Sequence, residues 1–148
     1  MSITIGIDPG YRAGGVALIG DNWAEVHDLP VFDKDGLDAH SLAEIIASVE
    51  ASHIWLEYQQ AMPRQGVSST GKLMMAYGQI RAVVALSGVP YTIVRPAKWK
   101  QSMNVPKDKD GARRLAIQWY PDLSDRLKRK KDEHRAEALL IARYGRGV

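Results

Sequence analysis

The sequence predicts an α/β domain, one mixed sheet of five strands with helices packed on its faces. Five short segments, 3–8, 14–20, 23–29, 53–58 and 91–94, have the length and the β-branched or apolar content of strands. Glycine-rich turns join the first three, whereas stretches with helical spacing separate the later ones. The 148 residues allow a single domain, 1–148, with a substantial core and leave too little chain for two.

Each element has a local cause. Ile3-Thr4-Ile5-Gly6-Ile7-Asp8 alternates and is stopped by Pro9-Gly10. Gly14-Gly15 and Gly20-Asp21-Asn22 supply turns, so the opening strands read as an antiparallel meander. Phe32 to Asp38 is polar and loop-like, and 39–50 then carries Leu42, Ile45, Ile46 and Val49 on one helical face. His53 to Tyr58 is a second buried strand with Glu57 near its far end. Ala61 to Ser69 holds Pro63, Arg64 and Gly66 and reads as a loop.

A long helix over 70–87 follows, ended by Gly88. Its apolar residues, Leu73, Met74, Met75, Ile80, Val83, Val84 and Leu86, spread over more than one stripe. That breadth predicts burial on two sides, against the sheet and against a second subunit. Beyond the strand at 91–94, helices are expected at 97–103 and 110–119, with Lys107-Asp108-Lys109-Asp110 between them. Pro121 breaks the chain, and a last helix covers about 132–144.

Composition narrows the function classes. Without cysteine there are neither disulfides nor thiolate metal sites. No apolar run is long enough to span a membrane and nothing at the N-terminus reads as a signal peptide, so a soluble cytoplasmic protein is the expectation. The net charge of +3 conceals an asymmetry: Arg95 to Lys131 is +8, while residues 1–94 are −5. The basic part suits a polyanion and the acidic part suits cations.

The acids stand in places that a fold can bring together. Asp8 ends the first strand and Glu57 the fourth. In the last helix, Asp132-Glu133-His134-Arg135-Ala136-Glu137-Ala138-Leu139-Leu140-Ile141-Ala142, Glu137 is the one charge within an apolar stretch. A buried carboxylate is costly unless it is paired or binds a metal. His134, three residues earlier, shares its face. Asp132 can reach the same place from the helix start, where it also suits an N-cap, and Glu133 lies at i,i+4 from Glu137. Taken singly, Asp8 reads as a turn residue, Glu57 as a partner for an arginine, Asp132 as a cap and His134 as a partly exposed helix histidine. Together they read as a cage for Mg²⁺, which takes hard oxygen ligands from a few carboxylates. Two such ions about 4 Å apart activate water and stabilise the leaving oxygen of a phosphodiester.

In these motifs the chain resembles the RuvC family of Holliday-junction resolvases, in the ribonuclease H-like superfamily. The carrying residues are Ile5-Gly6-Ile7-Asp8-Pro9-Gly10, Leu56-Glu57-Tyr58-Gln59 and Ala136-Glu137-Ala138-Leu139-Leu140-Ile141-Ala142, with Gly78-Gln79 and Arg95-Pro96-Ala97 between them. The Lys130-Lys131-Asp132 approach to the last helix resembles short members carried by bacteriophages, whose compartment is a bacterial or phage-infected host cytoplasm. The resemblance implies a ribonuclease H-like fold and a homodimer that nicks four-way and other branched DNA with Mg²⁺ or Mn²⁺, two ions per site. It matches Asp8, Glu57 and Glu137 to metal-binding catalytic acids, the last usually aspartate in the family. The fourth ligand falls on His134 or on Asp132, and these two stay open.

The resemblance also implies DNA contacts from Lys100 and Lys109. The basic segment adds Lys98, Lys107, Arg113, Arg114, Lys130 and Lys131 as phosphate contacts, and the loop adds Arg64. A residue that wedges into the junction is expected after Glu57, with Tyr58, Met62 and Arg64 as candidates. Rival readings are a ribonuclease H-type hybrid cutter, a general flap or branch nuclease, and a non-catalytic DNA-binding module. A sugar kinase or actin-like ATPase would need a second such domain, which the length excludes.

Overall fold

The computed structural model describes residues 2–32 and 36–147. In chain order the elements are β1 (Thr4–Asp8), β2 (Gly15–Ile19), β3 (Ala24–Asp28), β4 (Val31–Phe32), β5 (Gly36–Leu37), α1 (Ala39–Ala47), β6 (His53–Glu57), α2 (Val67–Leu86) and β7 (Tyr91–Val94). They are followed by α3 (Pro96–Ser102), α4 (Gly111–Trp119), α5 (Ser124–Leu127) and α6 (Glu133–Arg146). The main sheet has the order β3-β2-β1-β6-β7. β1, β2 and β3 are antiparallel neighbours, while β6 and β7 run parallel to β1. This is the mixed five-stranded sheet that the sequence predicts.

Alternation in β1 sorts the two helical layers. Ile5 and Ile7 enter a core with Ile54, Leu56, Leu42, Ile80 and Val84, which places α1 and α2 on that face. Gly6 and Asp8 point to the other face, where α6 packs with α3 and α4 around Trp99, Leu139 and Ile141. A Cβ on Gly6 would lie 2.3 Å from the Ala138 carbonyl oxygen, and one on Gly15 would lie 2.2 Å from that of His134. Bare backbone at these positions, against Ala136, Ala138 and Ala142, lets α6 settle directly onto β1 and β2.

Four local expectations need correction. Phe32 and Gly36-Leu37, read as loop, belong to a small antiparallel ladder, Val31 opposite Leu37 and Phe32 opposite Gly36. The middle of that expected loop, 33–35, lies outside the described residues. α2 begins at Val67 rather than near 70, since the Thr70 N–H reaches the Gly66 carbonyl at 2.9 Å and closes a first turn through two serines. Pro121 opens a 3₁₀ turn, Pro121–Leu123, instead of only breaking the chain, because its fixed φ suits a first helical position. A second 3₁₀ turn, Lys130–Asp132, precedes α6, and Asp132 does not cap α6 with its side chain.

The two-sided burial expected of α2 is met on one side. Ala76, Tyr77, Ile80 and Val84 are buried, whereas Val67 and Leu86 are 91% and 87% exposed. Among the described residues no helix is long and apolar enough to cross a membrane.

Candidate metal centre

Parallel pairing sets two acids side by side. β1 and β6 are in register with Ile7 opposite Leu56, so the next positions along are Asp8 and Glu57, at the ends of adjacent strands. Both are buried, at 6% and 7% exposure. α6 then brings Glu137 over the strand ends, so that carboxylate oxygens of Asp8, Glu57 and Glu137 all lie within 4.8 Å of one another.

The electrostatics of this trio are unfavourable without a cation. Burial first, then the charge of Asp8, pushes Glu57 up to about 8, while a hydrogen bond from Trp99 opposes the rise. Burial and Asp8 likewise push Glu137 up to about 7, with Lys100 pulling the other way. Lys100 Nζ stands 3.6 Å from Glu137 Oε2. Three hard oxygen donors from three separate elements, crowded enough to repel, fit a divalent cation of the Mg²⁺ or Mn²⁺ kind.

The two residues left open for a fourth ligand part company. His134 Nδ1 is 2.7 Å from Asp8 Oδ2, and that bond holds the imidazole above the ordinary histidine range despite partial burial. Asp132, 1% exposed, faces away into a guanidinium clamp. Its Oδ2 accepts from the Arg129 backbone N–H at 3.0 Å and from Nε at 3.1 Å, and its Oδ1 accepts from Nη2 at 3.0 Å. Burial alone would raise the Asp132 carboxyl, but the Arg129 bonds outweigh it and hold it below the usual range. Glu133 stays outside the trio and adds its charge to the push on Glu137.

The basic candidates divide as well. Lys100, Lys107 and Lys109 line a groove of about 610 Å³ that also includes Glu133 and Glu137. Lys98, Lys130, Lys131 and Arg64 are exposed, and Arg64 sits in the left-handed backbone region at φ 72°. Arg113 is engaged with Asp110 and with the Lys128 carbonyl, and Arg114 forks onto Asp108 at 2.8 and 3.0 Å.

Trp99 is a residue that the sequence reading missed. It is fully buried, and its indole N–H donates to Glu57 Oε2 at 2.7 Å. A tryptophan between two lysines on a short helix offers no signal beyond an ordinary core aromatic. Gln59, part of the resemblance, has a structural task as well: its amide Nε2 donates to the Pro9 carbonyl at 3.0 Å and ties the turns after Asp8 and Glu57 together.

No family model matches the chain, and no curated protein does. Among solved structures, the fold is similar to Thermus thermophilus RuvC in complex with a Holliday junction substrate, with a TM-score of 0.69 and 21% identity over 97% of this chain and 92% of that one. A second Thermus thermophilus RuvC structure gives 0.61 and 19% over 96% and 92%. The yeast mitochondrial Holliday junction resolvase Ydc2 gives 0.59 and 12% over 97% and 77%. Likeness at these identities is a likeness of fold, and the fold of this chain is ribonuclease H-like.

Proposed function

We propose that this chain is a metal-dependent, structure-selective endodeoxyribonuclease that nicks four-way and other branched DNA. The observation that carries this reading is the meeting of Asp8, Glu57 and Glu137 within 4.8 Å, beside a lysine-lined groove on a ribonuclease H-like sheet. Mg²⁺ or Mn²⁺, two ions per site, would supply an activated water and a countercharge for the leaving oxygen. Asp8, Glu57 and Glu137 hold the metal in this reading, with His134 as the fourth ligand in preference to Asp132, whose carboxylate is already satisfied by Arg129.

The remaining residues prepare the site. Trp99 fixes the orientation of Glu57, and His134 does the same for Asp8. Lys100 offsets Glu137 and stands where it can meet a phosphate, so the acids do not simply repel the strand. Water oxygen would bond to phosphorus as the P–O bond to a sugar oxygen breaks, the water giving a proton to solvent and the leaving oxygen taking one up. Met62 and Arg64, exposed on the loop after Glu57, suit the wedge better than Tyr58, which lies between Tyr77 and the Arg95 guanidinium, 4.4 Å from its ring centre. The outward apolar residues of α2, Val67, Met75 and Leu86, support a homodimer making two symmetric cuts. Lys130-Lys131-Asp132 supports a bacteriophage-type member acting in the host cytoplasm.

A cleavage panel of four-way junction, flap, duplex and RNA–DNA hybrid tests the reading. Paired nicks confined to the junction are expected, and Asp8→Asn should lower nicking at least about 100-fold while junction binding survives. Preferential cutting of hybrid or flap would move the assignment to those rivals, and undiminished cleavage by Asp8→Asn would remove the metal site. A non-catalytic module is disfavoured because mutually repelling buried acids only cost stability where no metal binds.

A further inference from the structure

We propose that a pocket on the far side of α6 from the lysine groove, walled by Arg12, Arg129 and Lys131, is a phosphate subsite that grips a backbone phosphate neighbouring the one cut. The proposal rests on the nuclease reading and adds to it the path of the DNA strand across the acids.

Two of the depressions near the acidic trio are lined by residues of the first turn of α6 and share no lining residue. The lysine groove opens on the side of Glu133 and Glu137, which are one helical turn apart. The second pocket, about 330 Å³, opens on the side of His134, which is itself bonded to Asp8. The first turn of α6 therefore stands between the lysine groove, whose three lysines are matched by Asp108, Glu133 and Glu137, and a second pocket with excess positive charge. A strand whose scissile phosphate lies over the acidic trio carries its neighbouring phosphates into both.

The charge balance of the second pocket favours an anion. Arg12, Arg129, Lys131 and Arg135 face Asp28 and Asp132. Both acids are already taken: Arg135 forks onto Asp28 at 2.8 and 3.0 Å, and Arg129 forks onto Asp132. Among the described residues Arg12 and Lys131 form no ion pair, and both are exposed. Two positive charges are thus in excess.

This gives Asp132 a task, although it stands apart from the acidic trio. It is buried, satisfied by Arg129 through three bonds, and Arg135 approaches it at 3.4 Å. An arginine held this way has lost its rotamer freedom before DNA arrives, so less is lost when a phosphate binds. Asp132 is a positioning residue for Arg129.

Junctions carrying one neutral methylphosphonate at each position around the cut test the subsite, with binding measured by titration in Ca²⁺ and nicking in Mg²⁺. Wild type should lose affinity roughly tenfold at one neighbouring position, the size of a charge-assisted hydrogen bond. Arg12→Ala with Lys131→Ala should bind the unmodified junction more weakly by a similar factor, and should lose little more when that same phosphate is neutralised. Asp132→Asn should lower sensitivity at that phosphate and at no other. Equal sensitivity of wild type and the double variant at every position overturns the subsite, as does a wild type that binds no junction. If the pairing of phosphate and arginine holds while Asp8→Asn nicks normally, the subsite stands and the metal reading falls.

Discussion

His134 Nδ1 lies 2.7 Å from Asp8 Oδ2, a bond that spans 126 residues of sequence and ties the first turn of α6 to the end of β1. The imidazole thereby sits beside the acidic trio while its side chain remains 41% exposed. Its consequence is measurable in metal affinity. His134→Ala should weaken Mn²⁺ binding by at least about 10-fold, since it removes both the fourth ligand of the proposed site and the partner that orients Asp8. His134→Asp should recover most of that loss. Calorimetry on the three proteins checks it, and identical affinities would reduce His134 to a helix histidine near the site.

Stability without metal should fall as pH rises. Burial and the charge of Asp8 push Glu57 up to about 8 and Glu137 up to about 7 in the folded chain, against an ordinary value of 4.5, so the folded state keeps protons that the unfolded state has lost. Between about pH 4.5 and 8 each step upward therefore favours unfolding. His134, held above its ordinary value by Asp8, acts in the same direction, since its contribution is full below 6.5 and is lost as pH passes its raised value. In EDTA the Tm should decline across this window, and Mn²⁺ should raise it more at pH 8 than at pH 5.5. Glu57→Gln should flatten the decline; a slope equal to wild type would count against the repulsion.

Lys100 is the ammonium that bridges acid and groove, 3.6 Å from Glu137. Lys100→Ala should weaken junction binding and reduce the slope of log K against log salt by about 0.9, one phosphate contact. Binding titrations from low to moderate salt read both numbers. Unchanged affinity across that range would remove Lys100 from the interface.

Gly6→Ala should be destabilising, because its Cβ would stand 2.3 Å from the Ala138 carbonyl oxygen and 2.5 Å from the Ala142 nitrogen. Neither atom belongs to a side chain that can swing aside, so α6 must move off the sheet, at about 1–3 kcal/mol. Denaturant midpoints measure the loss. Nicking should fall as well, since Glu137 rides on α6. A variant as stable as wild type would mean that the helix is less closely seated.

The strands and the longer helices were legible because hydrophobic spacing is a local property: Ile5 and Ile7, or Leu42 and Ile46, declare a face without reference to the rest of the chain. The short turns around 121–132 were not, since three or four residues are too few for a period to emerge. Asp8, Glu57 and Glu137 were legible for the opposite reason. Each is a charge set in or at the end of an apolar element, where desolvation makes an unpaired carboxylate expensive.

The sequence by itself determined the five main strands, the longer helices and which acids are out of place in them. The tertiary structure alone decided how those acids meet. Parallel pairing of β1 with β6 aligned Asp8 and Glu57, and glycine backbone at Gly6 and Gly15 set the depth at which α6 delivers Glu137 and His134. The 3₁₀ turn before α6 left Asp132 to Arg129 rather than to the acidic trio. Trp99 joined Glu57 across 42 residues, a contact between separate elements that no local spacing announces. Spacing along a chain carries a side chain's periodicity, but its direction in space depends on backbone geometry that only packing fixes.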